Sequence, residues 1–437
     1  MSNKTKRTAV PKLRFPDFRN ARGWIEKLFN ELLDDILDFR GRTPKKIGME
    51  WGEGSIVSLS ANNVKNGYID FDAECNLGSE SLYDQWMRKV NLEKGDIVFT
   101  MEAPLGNALL VPDSEKYILS QRVVAFKTKK TIKNSFLVQL LWSDVFQKKL
   151  EEQSTGSTAK GISQKSLRKI PVWVPINLQE QQKIADCLCS IDKLITTEQQ
   201  KLETLQDHKK GLMQQLFPAE GATLPKLRFP DFRDANGWEI KKIDDISKEI
   251  LDGDWIESKD QSDNGIRLIQ TGNIGIGIFI PKKDSEKFIS KKTFETLKCK
   301  EVFPGDCLIS RLPDPPGRSI IVPDIGQRMV TAVDCTIIRF RPSSVIPYMF
   351  LLYSQTEQYF SKIHSMSSGS TRKRISRTNL SAIEIPLPQL KEQQKIAAFL
   401  SNLDDLITAQ SQKLEALQDH KKGLMQQLFP SVDEAIE

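Results

Sequence analysis

The chain has 437 residues, 39% hydrophobic and 27% charged, with 24 Gly and 21 Pro. That is the composition of ordinary globular domains, and at about 100–200 residues each it makes roughly two to four of them and excludes long disordered tracts. The formal net charge of +6 is too small to name a polyanionic partner without knowing where it lies. No apolar run reaches the roughly 18–20 residues that span a bilayer, and the start MSNKTKRTAVPKLRF has no apolar signal core, so a cytoplasmic chain without membrane attachment is expected. Six cysteines at irregular spacings and three histidines suggest neither a disulfide framework, nor a zinc site, nor histidine-based acid–base chemistry.

In chain order, Ser55-Ile56-Val57-Ser58-Leu59, Asp96-Ile97-Val98-Phe99 and Val123-Val124-Ala125-Phe126 are short β-branched or aromatic runs bounded by Gly, Asn and Asp, which predicts strands. Ser135 to Leu150 has helical spacing. From Ile184 the apolar positions step by three and four through Leu188, Ile191, Ile195, Leu202, Leu205, Leu212 and Leu216, with Glu198 and Lys209 at the skipped places and Pro218 after the end. Such a narrow stripe over about five heptads predicts a coiled-coil seam.

The pattern then returns. Pro11 to Arg19 (PKLRFPDFR) is identical to Pro225 to Arg233, and Gln206 to Pro218 is identical to Gln418 to Pro430. Ile266 to Ile269, Cys307 to Ile309 and Cys335 to Phe340 predict strands in the same order, Tyr348 to Ile363 a helix, and Ile396, Leu400, Leu403, Ile407, Leu414, Leu417, Leu424 and Leu428 a second seam, with Gln410 and Lys421 at the skipped places. The expected class is α+β: a first module with its N-terminal segment at 1–178, a helix at 179–218, a second module at 219–390, and a helix with tail at 391–437. A narrow stripe fits a partner helix better than a domain surface, so the two helices are expected to pair antiparallel, which would let Lys421 approach Glu198.

Basic excess sits on the two modules while the helices lean acidic, the distribution expected if the modules meet a polyanion. Gly156, Ser157, Thr158, Lys160 and Ser163 in one module answer Gly369, Ser370, Thr371, Lys373 and Ser376 in the other, where Arg372, Arg374 and Arg377 add charge. Small hydroxyl residues and cations in a loop before a helix suit phosphate oxygens, the alternative being a solvated loop whose serine caps the helix. Asn62, Asn63, Gln121, Arg122, Gln270, Asn273, Arg311 and Arg318 have side chains of the kind that read base edges. Asp314-Pro315-Pro316-Gly317 has the start of an amino-methyltransferase signature, but Gly317 stands where the stacking aromatic belongs, and no phosphate-binding glycine loop accompanies it. No catalytic or metal-ligating residue is assigned.

The order of parts, with PKLRFPDF, SLSANNVKNG, GDIVFT, STGSTAKGIS and LQEQQKIA running to KKGLMQQLFP, resembles the specificity subunit of type I restriction–modification enzymes over almost the whole chain. The resemblance implies two target-recognition domains held by an antiparallel coiled coil with pseudo-twofold symmetry, each reading half of a split, asymmetric target in double-stranded DNA. It implies a non-catalytic chain without a cofactor of its own. Its expected partners are two methyltransferase subunits that methylate adenine from S-adenosylmethionine and up to two restriction subunits that use ATP and Mg. An architectural or repressor protein with two half-site-reading domains would carry the same charge distribution.

Overall fold

Every residue of the strand Ile97–Met101 is buried, as are the first four of Val123–Thr128, which a strand tolerates only when both of its faces are covered. Alternation divides them. Ile97, Phe99, Met101, Val124 and Phe126 face one core with Trp24, Phe29 and Phe136, while Val98, Val123 and Ala125 face a second with Leu59, Trp86 and Ile118. The sheet that separates these cores runs antiparallel in the order Leu33–Asp38, Val123–Thr128, Ile97–Met101, Leu105–Leu110. A three-stranded sheet beside it pairs Ile56–Leu59 parallel to Tyr117–Leu119 and antiparallel to Leu77–Gly78.

The second half of the chain repeats this plan. Ser247–Asp252, Cys335–Phe340, Cys307–Ser310 and Ser319–Ile321 form the dividing sheet, with Cys307, Ile309 and Ile338 on one face and Leu308, Cys335 and Ile337 on the other. Ile266–Ile269 lies parallel to Met329–Thr331, in the place of the parallel pair of the first half. The mixed α+β class is therefore present in both halves, with three of the six sequence-predicted strands in each. The two predicted module helices are each broken in two. Ser143 ends Asn134–Trp142 and caps Asp144–Glu152 by accepting from the Phe146 N–H, and Thr356 caps Glu357–Met366 after Pro347–Tyr353 in the same way.

This computed structural model describes residues 7–52, 54–88, 90–313, 315–369, 372–431 and 435–436. They fall into two units, residues 1–199 with 412–437 and residues 200–411. The helices Leu178–Leu216 and Leu390–Leu428 stand where helices at 179–218 and from 391 were expected, and the division into units cuts across both. Each unit holds the first part of one helix and the last part of the other. In the first unit Asp192 pairs with Lys421 at 2.5 Å and Glu198 with Lys413 at 2.6 Å, so the two segments run in opposite directions. In the second unit Lys209 pairs with Asp404 at 2.5 Å. The expected approach of Lys421 to Glu198 is therefore corrected, since each takes a different partner. The ends of the stripe also differ from expectation. Ile184, Leu188 and Leu428 enter the Trp24 core, and Leu216, Ile396 and Leu400 the Trp238 core, so there the seam packs on its module.

What fixes each helix to its module is a buried charged group. Glu180, 1% exposed, accepts from Arg14 Nε at 2.7 Å, Arg14 Nη2 at 2.8 Å and Trp24 Nε1 at 3.0 Å. Arg14 Nη1 and Nη2 also donate to the carbonyls of Ala21 and Arg22. Glu392, Arg228 and Trp238 repeat the arrangement, with the carbonyls of Ala235 and Asn236. The next residue does a second job: Gln181 accepts from the Lys133 N–H and donates to Thr131 and Pro175, and Gln393 accepts from Ile346 and donates to Ser344 and Pro388. The near-identical PKLRFPDF and EQQKIA blocks thus meet each other. A carboxylate so enclosed is stable only with all its donors. Glu180→Ala strands the Arg14 guanidinium and the Trp24 N–H, and is expected to destabilise the first unit by about 3–5 kcal/mol, read as a lowered urea midpoint.

Candidate nucleic-acid interface

One end of each dividing sheet gathers most of the residues singled out by sequence. In the first unit Met101, the last residue of its strand, donates its N–H to the Arg122 carbonyl at 2.7 Å and accepts from the Ile162 N–H at 3.0 Å. In the second, Arg311 donates to the Asp334 carbonyl and accepts from Ile375. The strand end therefore holds a turn on one side and the glycine–serine–threonine loop on the other. Ala61 N–H bonds the Gln121 carbonyl, which brings the turn at 60–63 alongside.

The loops themselves need their glycines. Gly156 has φ +102° and Gly369 φ +106°, and an added Cβ would stand 2.3 Å from the Ala159 carbonyl oxygen or 2.5 Å from that of Arg372. Bridges between Thr155 and Gly161 and between Ser368 and Arg374 close the two loops. Gly156, Ser157, Thr158, Lys160, Gly369 and Arg372 are exposed there, while Ser370 and Thr371 lie outside the described residues. Ser163 and Ser376 are helix N-caps, accepting from the Ser166 and Asn379 N–H groups at 3.0 Å, so the capping alternative is correct for the serine that ends each loop.

Two candidate base readers are corrected outright. Asn63, fully buried, accepts from the Ser60 N–H and donates to the Ser58 carbonyl, and Asn273 accepts from Gln270 and donates to Ile280. Both amides are spent on holding a turn, and both side chains are buried. Their neighbours differ: Asn62, Gln121 and Arg122 are exposed, Arg122 at φ +64°, and Gln270 is half-buried.

The second unit concentrates charge at this edge. Asp252, ending its strand, pairs with Arg311 at 3.4 Å and Arg377 at 3.3 Å, and Asp334 pairs with Arg374 at 2.8 Å. Lys373 Nζ lies 2.6 Å from His364 Nε2. Arg311 is 6% exposed and its Nε has no partner among the described residues. Arg318, half-buried, likewise has an unpartnered Nε, and its three contacts through Nη2 are all at 3.5 Å. At Gly317 the backbone closes on Ile363, leaving no room for the aromatic of a methyltransferase signature.

In the first unit the corresponding carboxylate is Asp38, which accepts from Arg40 Nη2 at 2.6 Å and Gln164 Nε2 at 3.0 Å. Lys160 pairs with Glu151. Sequence reading missed Asp38 and Asp252, although both end the same tripeptide, Ile-Leu-Asp, at matching places. Burial pushes the Asp38 carboxyl up, but hydrogen bonds from Arg40 and Gln164 outweigh it and hold the group below the usual carboxylate range. A lowered folded-state pKa contributes stability above the unfolded value of about 3.9, lost as pH falls through the lower folded one. Asp38→Asn is therefore expected to flatten the acid limb of the first unit's stability below about pH 4, measured as urea midpoints against pH.

The chain belongs to the family of type I restriction modification DNA specificity domains, whose profile matches it twice, at residues 32–207 and 235–419. It is similar to the type I restriction enzyme MjaVIII specificity subunit of Methanocaldococcus jannaschii, 25% identical over 416 residues that cover 91% of this chain and 90% of that one. A putative MjaX specificity subunit of the same organism is 24% identical over 91% of each chain. Among solved structures, the S subunit of a type I restriction–modification system from M. genitalium shares the fold with a TM-score of 0.59 at 16% identity, covering 97% of this chain and all of that one. A chain from a study of complex assembly in a type I system gives 0.55 at 19%, covering 93% and 97%.

Proposed function

We propose that this chain is the DNA specificity subunit of a type I restriction–modification complex and reads a bipartite, asymmetric target. The observation that carries this is the pairing of one frame with two different edges. Both modules bring a turn, a strand end and a glycine-closed loop together, yet the side chains there are the exposed Asn62, Gln121, Arg122 and Lys160 in one, and the exposed Arg372 with the half-buried Gln270, Arg318 and Lys373 in the other. Unlike readers on like scaffolds recognise unlike half-sites.

The repeat also supports a full antiparallel coiled coil with pseudo-twofold symmetry. Moving each partner by 212 residues turns the pair Asp192 with Lys421 into Asp404 with Lys209, the exchange expected of an isologous contact. Modules so related address half-sites about 34–36 Å apart, one helical turn, with an unread spacer. A surface presented twice suits two copies of a partner. We assign these to methyltransferase subunits that use S-adenosylmethionine on adenine, joined by up to two restriction subunits that use ATP and Mg, while this chain supplies sequence choice and no chemistry.

Mapping methylated adenines in host DNA with and without this chain tests the reading. Loss of one bipartite motif is expected. An unchanged map with DNA binding retained would leave an architectural or repressor protein, and methyl transfer by the purified chain alone would contradict the non-catalytic role.

Replacing Arg372 and Lys373 by Ala is expected to weaken DNA binding and to lower the slope of log K against log salt by up to about 0.9 for each lost phosphate contact. Arg374 and Arg377, each already matched to a carboxylate, should matter less to the slope. Fluorescence-anisotropy titrations at several salt concentrations measure both.

A further inference from the structure

Trp255 is 69% exposed, the most exposed large apolar side chain among the described residues, although tryptophan is a residue that folding ordinarily hides. It stands three residues beyond Asp252, so about 10 Å of extended chain separates it from the carboxylate that holds Arg311 and Arg377. Trp255 therefore starts within about 10 Å of the edge that carries the arginine cluster of the second module.

The segment that presents it is fixed. Gly253 donates to the Cys335 carbonyl and Asp254 to that of Thr331, both at 2.9 Å, and a Cβ on Gly253 would stand 2.2 Å from the Ala332 oxygen. The indole N–H is itself tied to Glu257 at 3.0 Å. Three of the acidic residues around it are matched by cations, Asp252 by Arg311 and Arg377, Asp254 by Lys300 at 2.9 Å and Glu257 by Lys259 at 2.7 Å, while Asp260 accepts the Glu257 N–H, which limits the segment's repulsion of a polyanion. A rigid, exposed ring on a largely charge-matched loop near arginines presents apolar surface where a groove of duplex DNA would lie.

We propose that Trp255 is a base-contacting residue of the second module, meeting the apolar part of a base, such as a thymine methyl group, next to the arginine contacts. This rests on the DNA-reading function proposed above and adds a specificity-determining residue to it. The first module does without one. Gly41 occupies the matching place, Arg42 lies over Phe39 at 4.8 Å, and Phe39 is buried, so at that place the first edge has no exposed ring. The two half-sites are then distinguished by the kind of contact as well as by its sequence.

The test uses the full-length chain and duplexes selected from a randomised pool. Because the ring is exposed, Trp255→Ala and Trp255→Phe should melt as the wild type does. Trp255→Ala is expected to bind the selected duplex about tenfold more weakly and to accept other bases at one or two adjacent positions of one half-site. Its salt slope should stay unchanged, because no phosphate contact is lost. Trp255→Phe should recover part of the affinity. A Trp255→Ala chain that selects the same sequence with the same affinity overturns the proposal, as does a loss that comes with a lowered slope. A wild-type chain that enriches no sequence would instead overturn the function on which the proposal stands.

Discussion

A single buried carboxylate organises each half of the molecule. Glu180 and Glu392 lie in the first turn of the long helices, 1% exposed, and each collects an arginine and a tryptophan from a segment more than 150 residues earlier in the chain. Removing two charges from water costs several kcal/mol, repaid only when every donor and acceptor is engaged. That requirement fixes the direction in which each helix leaves its module. It also accounts for the pairing of sequence blocks: PKLRFPDF supplies the arginine, the following Gly-Trp the indole, and EQQKIA the acceptor, so none of the three could drift without the others.

Freedom begins where this constraint ends. The dividing sheets of both units keep their order and register, and the strand-end hydrogen bonds of Met101 and Arg311 are the same pair of bonds. The side chains at those places are not the same. Arg311 stands where the first unit has Met101, and Asp334 where it has Arg122. A frame that secures loops through their main chain leaves the side chains open to change. A subunit that chooses DNA sequences needs that division of labour.

Much of this was legible in the sequence. The repeat announced two like modules, and β-branched or aromatic runs bounded by Gly, Asn and Asp marked the six strands, although Ser58 and Arg267 are buried within two of them. The helix breaks at Ser143 and Thr356 were hidden by apolar spacing that continues across them; a serine or threonine cap is the signal. Asn63 and Asn273 were misread for a related reason. An asparagine kept at matching places in two diverged modules serves what the modules share, the turn, rather than what distinguishes them. The seam gave the helical period but not the axial register, so it did not show that Lys421 would take Asp192 rather than Glu198. The contact of Arg14 with Glu180 joins distant segments, and the shared repetition of the two blocks was its only trace.

Two like modules that read two separate, unlike stretches of one duplex should leave a divided footprint. Hydroxyl-radical footprinting of the full-length chain on its methylation-mapped target tests this most directly. Two protected patches centred about one helical turn apart, over unlike sequences and with the spacer bases free to vary, are expected. One continuous patch, or equal protection of any duplex, would contradict this reading.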